Sequence, residues 1–335
     1  MSRWADDPER AADALIARAL DDIALDGRIL LVNQSGTVPR LLRDRGIEAT
    51  TWNRRLVGTF PAAPWPPEGP FHGAIARLTK ARDEQEMAAH AVLSVLAPGA
   101  RLILYGGNDE GIRSASAVLE ALGGPVDVVA ARGHGRVLAL SRPDVPLKGS
   151  LREWRIEVPM EIAGKLRTWV TYPGIFAAGR LDEGTALLLG TLPPLPAGAR
   201  ALDYGCGSGV IGAALLAQSP GIMLDMLDSD SVALEAAREN VPGARTILDT
   251  ALSGARGGLY DAILSNPPLH QGVAEDRAPL EKLLADAPAR LAPNGVLQIV
   301  VQRRVPLDRL FEQHLKGAAV VAENSRYRVW QARKT

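Results

Sequence analysis

Leu202-Asp203-Tyr204-Gly205-Cys206-Gly207-Ser208-Gly209 joins a short apolar run, Arg200 to Tyr204, to a helical pattern, Val210 to Gln218. Three glycines between a strand and a helix allow a tight turn and let a ligand approach backbone that any Cβ would screen. The helix that follows aims unpaired N–H groups at that ligand. A turn of this kind marks the first strand of a doubly wound α/β sheet. Gly207, Gly209 and Gly212 also satisfy the G-x-G-x-x-G spacing of dinucleotide enzymes, so the turn alone leaves the ligand open.

Working outward, strands are predicted at Ile222 to Leu227, Arg245 to Leu248, Asp261 to Ser265 and Val296 to Val301. Helices are predicted at Ser231 to Asn240 and Leu280 to Leu291, and Ala318 to Glu323 with Arg326 to Gln331 reads as a strand pair. Strand and helix alternate as a mostly parallel sheet requires. The first half shows the same alternation. Strands are predicted at Arg28 to Val32, Ile47 to Trp52, His72 to Leu78 and Arg101 to Tyr105, helices at Ala11 to Leu25, Val38 to Arg45, Glu84 to Leu96 and Ile112 to Leu122, and a hairpin at Val126 to Ala131 and Arg136 to Ser141. Between the halves, Trp154 to Val158 and Thr168 to Tyr172 look strand-like and Asp182 to Leu192 helical.

The two halves also resemble each other. Ala91 to Tyr105 matches Asp286 to Val300, each with Leu-Ala-Pro before a Gly or Asn-Gly and an apolar run, and Phe71 to Ile75 matches Tyr260 to Leu264. Both matches fall in the same order, which predicts an internal duplication. The expected fold is α/β, with two tandem Rossmann-like domains of doubly wound, mostly parallel sheets, residues 1–145 and 146–335. The first copy lacks the glycine cluster, running instead into Asn33-Gln34-Ser35-Gly36, and has Leu78-Thr79-Lys80 where the second has Asn266-Pro267-Pro268. It is expected to be degenerate.

At 335 residues the chain has room for two cores, and 38 basic against 38 acidic residues give no bulk attraction to nucleic acid. A single cysteine excludes an internal disulfide and a cysteine-built metal site, and no metal is expected. The charged start, Met1 to Arg10, lacks the apolar core of a secretory signal, and no apolar run is long enough to span a bilayer. A cytoplasmic monomer without a membrane association is the expectation.

Two features separate an adenosyl sulfonium cofactor from a dinucleotide. Asp203 stands at the strand end, where its carboxylate would repel a pyrophosphate yet suits a cationic methionyl group. Downstream, Asn266-Pro267-Pro268 ends an apolar strand, where open α/β sheets place ligands. The Asn266 side-chain oxygen and the Pro267 carbonyl are two acceptors on a stiff turn. Together they can take both N–H bonds of a planar amine and aim its lone pair at a sulfonium methyl for in-line displacement. The candidate cofactor residues are Asp203, Gly205, Gly207, Gly209, Asp228 for the ribose hydroxyls and Asp249 for the adenine amino group, with Asp230 or Ser229 as the cap of the next helix. Cys206 reads as a small filler of the turn.

The chain resembles the class I S-adenosylmethionine-dependent methyltransferases, and among them the bacterial guanine-N2 methyltransferases of small-subunit rRNA, whose architecture is duplicated. The resemblance runs over nearly the whole chain and rests on Pro173-Gly174-Ile175-Phe176, Leu181-Asp182-Glu183-Gly184-Thr185, the glycine turn, Asp228 and Ser265-Asn266-Pro267-Pro268-Leu269-His270-Gln271-Gly272. It implies methyl transfer to the exocyclic N2 of a guanine in ribosomal RNA or the small ribosomal subunit. It also implies that Phe176 and Thr185 close over S-adenosylmethionine, and that Pro268, Leu269 and His270 meet the base. Leu269 stands where the family carries a base-stacking aromatic, a contact worth roughly 1–3 kcal/mol. Candidate phosphate contacts are Arg303-Arg304, Arg326 with Arg328, Arg333-Lys334 and Arg54-Arg55. The same turn also suits a protein glutamine amide or adenine N6, and a noncatalytic cofactor-binding assembly factor is the alternative from another class.

Overall fold

The computed structural model describes residues 8–34, 36–267 and 278–334. The chain divides into two compact units, Met1–Arg155 and Ile156–Thr335. Pro268, Leu269 and His270 lie outside the described residues, as do Ser35 and the first seven residues.

The second unit opens with a hairpin, β7 (Ile156–Ile162) and β8 (Lys165–Thr171), followed by helix α5 (Glu183–Leu189). Then come β9 (Arg200–Tyr204), α6 (Val210–Gln218), β10 (Met223–Asp228), α7 (Ser231–Asn240), β11 (Arg245–Leu248), β12 (Tyr260–Ser265), α8 (Ala278–Arg290), β13 (Leu291–Gln302), α9 (Asp308–His314), β14 (Lys316–Glu323) and β15 (Tyr327–Arg333). They build a seven-stranded sheet in the order β11-β10-β9-β12-β13-β15-β14. Its first five strands are parallel, and β15 runs antiparallel between β13 and β14. Successive residues of a strand face opposite sides, so Ala201, Ala262 and Leu264 enter one core while Leu202, Tyr204 and Ile263 enter the other. With both faces covered, β9 and β12 are buried along almost their whole length, as central parallel strands are.

The first unit carries α1 (Pro8–Ala19), β1 (Ile29–Val32), α2 (Thr37–Asp44), β2 (Ala49–Trp52), β3 (Phe71–Arg77), α3 (Arg82–Val95), β4 (Leu96–Gly107), α4 (Ile112–Glu120), β5 (Val126–Arg132) and β6 (Gly135–Ser141). Its sheet runs β2-β1-β3-β4-β6-β5, which is the order of the second unit without the edge strand β11.

The registers repeat as well. Phe71 pairs with Leu96 and Gly73 with Arg101, while Tyr260 pairs with Leu291 and Ala262 with Val296, so both units carry the same three-residue surplus at the same place. The surplus is the Ala-Pro-Gly or Ala-Pro-Asn turn, in which Gly99 and Asn294 occupy equivalent left-handed positions, φ 76° and 61°. Asn is the side chain that best tolerates that region after glycine. Ile29 and Ala201 likewise hold equivalent places against Gly73 and Ala262. The pairings therefore set position against position, and Asn266-Pro267 faces Arg77-Leu78 in the twin, one residue before the expected Leu78-Thr79-Lys80.

Several expectations for the elements shift, and β4 and β13 begin at Leu96 and Leu291 rather than at Arg101 and Val296. Helix α1 ends at Ala19 rather than Leu25, where Arg45 caps the Leu20 carbonyl and pairs with Asp21. Leu151–Trp154 is a single 3-10 turn with a Ser150–Glu153 capping box, and the strand starts at Ile156. Helix α9 lies where no helix was expected, since its seven residues are too short for a periodic pattern. Among the described residues no helix is long and apolar enough to cross a membrane.

Candidate active site

The chemistry-bearing side chains collect at the C-terminal ends of β9, β10 and β12. Asp203 is fully buried, and its Oδ2 accepts the Gly212 N–H in the first turn of α6 at 2.9 Å. Burial pushes its carboxyl up to about 7, against the lowering by that hydrogen bond, and the charge of Asp228 adds to the rise. Its Oδ1 has no hydrogen-bond partner among the described residues. A buried acceptor left in that state costs free energy unless a ligand donates to it.

Gly205, Gly207 and Gly209 all take positive φ, 69°, 54° and 91°. A Cβ on Gly209 would meet Val241 at 2.9 Å, whereas one on Gly207 would point into open space. The turn is thus packed on one side and open on the other. An orphaned carboxylate oxygen and an open glycine suit a ligand with a cationic group and a flat body, so the residues fit S-adenosylmethionine.

Asp228, at the end of β10, accepts the Gly207 N–H with Oδ2 at 2.8 Å and the Asp230 N–H with Oδ1 at 2.9 Å. Asp230 is the cap of α7, as expected, accepting from Val232 and Ala233. Asp249 turns its Oδ1 onto Ala251 N–H at 2.9 Å and shapes its own loop. Cys206 is buried and its thiol is held well above its ordinary value by burial and by Asp228 and Asp203, so it stays protonated and fills space.

Asn266 follows β12, whose last residue is clamped to β9 through Ser265 Oγ on the Tyr204 carbonyl at 2.8 Å. Asn266 Nδ2 donates to Asp182 Oδ2 at 3.1 Å and to Thr185 Oγ1 at 2.9 Å. A carboxylate only accepts, so the amide orientation is settled by its partner. Both amide hydrogens are spent inward, and Oδ1 accepts no bond among the described residues. Asp182 can serve because it is the cap of α5, accepting the Thr185 N–H at 3.0 Å. Thr185, placed by sequence over the cofactor, is brought to the Asn266 amide. Pro267 is buried beside it.

Sequence reading missed the framing of the turn. Trp169 Nε1 donates to Ser208 Oγ at 3.0 Å, and Asn240 bonds Val170 through both its amide atoms and donates to the Ser208 carbonyl at 3.0 Å. These bonds tie the β7–β8 hairpin to the glycine turn across long sequence separations, with no local pattern to announce them. Phe176 is 67% exposed and precedes Ala177 and Ala178, both at positive φ. Gly184 lies against the Tyr327 ring, and Arg326 pairs with Glu183 at 2.8 Å.

The equivalent region of the first unit is closed. Asn33 keeps the left-handed turn of Gly205, at φ 55°, but Gln34, 1% exposed, donates to the Val32 and Ile75 carbonyls and accepts the Tyr105 hydroxyl. Asn53, the counterpart of Asp228, accepts the Gln34 N–H. Arg77, the counterpart of Asn266, is engaged bidentately with Glu110 at 2.6 and 2.7 Å. A cavity of about 30 Å³ lies behind it, lined by Ala88 and Ala89 where α8 carries Leu283 and Leu284.

The family described as methyltransferase small domain matches residues 167–331, and its N-terminal companion, methyltransferase small domain N-terminal, matches residues 57–138. Ribosomal RNA small subunit methyltransferase C of Pseudomonas aeruginosa strain LESB58 is 37% identical over 274 residues, 80% of this chain and 81% of the relative. The protein of the same name from Hahella chejuensis is 32% identical over 325 residues, 92% and 94% of the two chains. A solved structure, the T. thermophilus 16S rRNA N2 G1207 methyltransferase in complex with AdoMet and guanosine, superposes with a TM-score of 0.83 at 22% identity, covering 99% of this chain and 93% of that one. That likeness carries the fold.

Proposed function

The chain belongs to the ribosomal RNA small subunit methyltransferase C family and is an S-adenosylmethionine-dependent methyltransferase, and from that premise we propose that it methylates the exocyclic N2 of a guanine in small-subunit rRNA through Asn266 and Pro267. The observation that carries the assignment of residues is the Asn266 amide, whose N–H bonds are taken by Asp182 and Thr185.

A guanine amino group is a weak nucleophile because its lone pair is delocalised into the ring. Asn266 Oδ1 and the Pro267 carbonyl accept its two N–H bonds, which favours the pyramidal nitrogen of the transition state and aims the lone pair. S-adenosylmethionine, when bound, supplies an electrophilic methyl on a sulfonium that leaves as a neutral thioether. The amine proton becomes acidic only as the N–C bond forms, so no strong base has to act beforehand. Asp203 would hold the cationic methionyl end, Gly205, Gly207 and Gly209 would let it approach, and Asp228 would accept from the ribose. Asp249, Phe176 and Thr185 complete the proposed cofactor set, and Pro268, Leu269 and His270 the base contacts. The target base has to be unpaired or flipped out to reach the turn.

We place this activity in the cytoplasm, carried out by a monomer whose first unit has lost cofactor and catalysis. The test is methylation of small subunits that lack the modification, with labelled S-adenosylmethionine and mass spectrometry of the digested rRNA. N2-methylguanosine is the expected product. Label appearing instead on adenine N6 or a protein glutamine would overturn the acceptor, and cofactor binding without any transfer would leave an assembly factor.

A further inference from the structure

The arginines that follow β13 and open β15 form one cluster at the same C-terminal sheet edge as the candidate site. The geometry points to Arg303, Arg304, Arg326 and Arg328 as the surface that grips RNA phosphates beside the methylated base, an inference that rests on rRNA being the acceptor.

Three observations place the cluster. Val301 and Gln302 pair with Arg328 and Tyr327, and the Arg303 N–H donates to the Arg326 carbonyl at 2.8 Å, so the four residues share one edge. Arg326 is joined to Glu183 at 2.8 Å, and Glu183 follows Asp182, which holds Asn266 at 3.1 Å. The cluster therefore adjoins the catalytic turn. Arg303 and Arg328 both reach Glu323, at 3.9 and 2.9 Å, so these two cations share one carboxylate.

The first unit provides an internal comparison. There the Asn108 N–H donates to the His134 carbonyl at 2.6 Å, the same backbone link, with Gly107 and Gly135 paired as Gln302 and Tyr327 are. Yet Asn108 and Asp109 stand in place of Arg303 and Arg304, and Glu110 in place of Val305. Backbone pairing has been kept and Arg136 stands where Arg328 does, while the charge of the segment after the strand is reversed. A purely structural role for Arg303 and Arg304 would be served equally well by Asn108 and Asp109 of the twin.

The chemistry fits phosphate. Guanidinium forks match phosphate oxygens bidentately. The exposed pairs with Glu183 and Glu323 are weak, so a phosphate can displace them at little cost. With zero net charge on the chain, a local patch of this kind is what an RNA ligand requires.

The test uses the full chain with Arg303→Gln/Arg304→Gln and, separately, Arg326→Gln, with Arg132→Gln in the first unit as control. Affinity for a small-subunit rRNA fragment is read by fluorescence anisotropy between 50 and 200 mM salt, alongside kcat/KM on unmodified subunits. Each lost phosphate contact should flatten the log–log salt slope by about 0.7–0.9, so the double variant should lose about 1.4–1.8 and bind at least tenfold more weakly. S-adenosylmethionine affinity and Tm should stay at the wild-type values. A slope indistinguishable from the control overturns the inference. If the wild type methylates no rRNA but the slope still depends on these arginines, the acceptor assignment falls and the phosphate surface stands.

Discussion

The two units share strand order, register and even the left-handed turn at Gly99 and Asn294, yet differ at the C-terminal ends of their first three equivalent strands. Leu31 stands for Asp203, Gln34 for Cys206, Asn53 for Asp228 and Arg77 for Asn266. The difference teaches that apolar alternation and pairing geometry maintain such a sheet, while a few residues beyond the strand ends decide whether it does chemistry. In the first unit Gln34 and Asn53 bond each other and Arg77 is taken by Glu110. In the second, Asp203 Oδ1 is left without a partner among the described residues, and the Asn266 amide turns its N–H bonds inward.

The sharpest break in that comparison is Asn266→Ala, which removes the acceptor and should lower kcat about 10²–10³-fold, the usual cost of one preorganised transition-state hydrogen bond. Calorimetry should find S-adenosylmethionine affinity unchanged. An unaltered kcat would remove Asn266 from the chemistry.

Next in size, Gly207→Leu makes the open turn resemble its filled twin. At φ 54° with open space before its missing Cβ, the position should cost about 1–3 kcal/mol of backbone strain and weaken cofactor binding about a hundredfold. Binding that survives, measured by the cofactor-dependent rise in Tm, would show that the ligand does not pass over Gly207.

Asp182→Asn keeps a capping side chain but lets the Asn266 amide flip, because the new amide both donates and accepts. We expect kcat to fall about tenfold, or about 1.4 kcal/mol, with Tm close to wild type. A large loss of Tm with normal kcat would make Asp182 a cap alone.

Asp203 gives a pH signature that the twin's Leu31 lacks. Its folded pKa of about 7 lies above the unfolded value of about 3.9, so its contribution favours the folded state below about pH 4 and is lost as pH rises through 7. The ligand-free protein should lose stability across that window, and Asp203→Asn should flatten the fall in a Tm-against-pH series. A matching slope in the variant would assign the loss to other groups.

The smallest effect belongs to the first unit. Ala88→Leu restores the residue its twin carries at Leu283 and fills a cavity of about 30 Å³. At roughly 24 cal/mol per Å³ the gain is about 0.7 kcal/mol, a rise of a few degrees or less in Tm. A fall would mean that the surrounding side chains cannot accommodate the leucine.

Much of this was legible along the chain. The ranges of α6, α7, β9 and β11 follow from periodicity and the glycine turn, and the duplication from the Leu-Ala-Pro turns, because these signals are local. Asp230 as a helix cap is local too. Thr185 beside Asn266 was not legible, since the two are 81 residues apart and their hydrogen bond depends on where α5 packs. The ties of Trp169 and Asn240 to Ser208 escaped for the same reason. Asp249 looked free for a ligand until its own loop claimed one oxygen.

Sequence by itself determined the two-fold α/β architecture, the family and the residue types at the glycine and Asn-Pro turns, since backbone conformation and strand burial are set by neighbours within a few residues. Tertiary structure alone decided which polar atoms are spent and which remain. The Asn266 amide is turned by the carboxylate that caps α5, Asp203 keeps one buried oxygen without a partner among the described residues, and four arginines meet only because β13 and β15 pair in register.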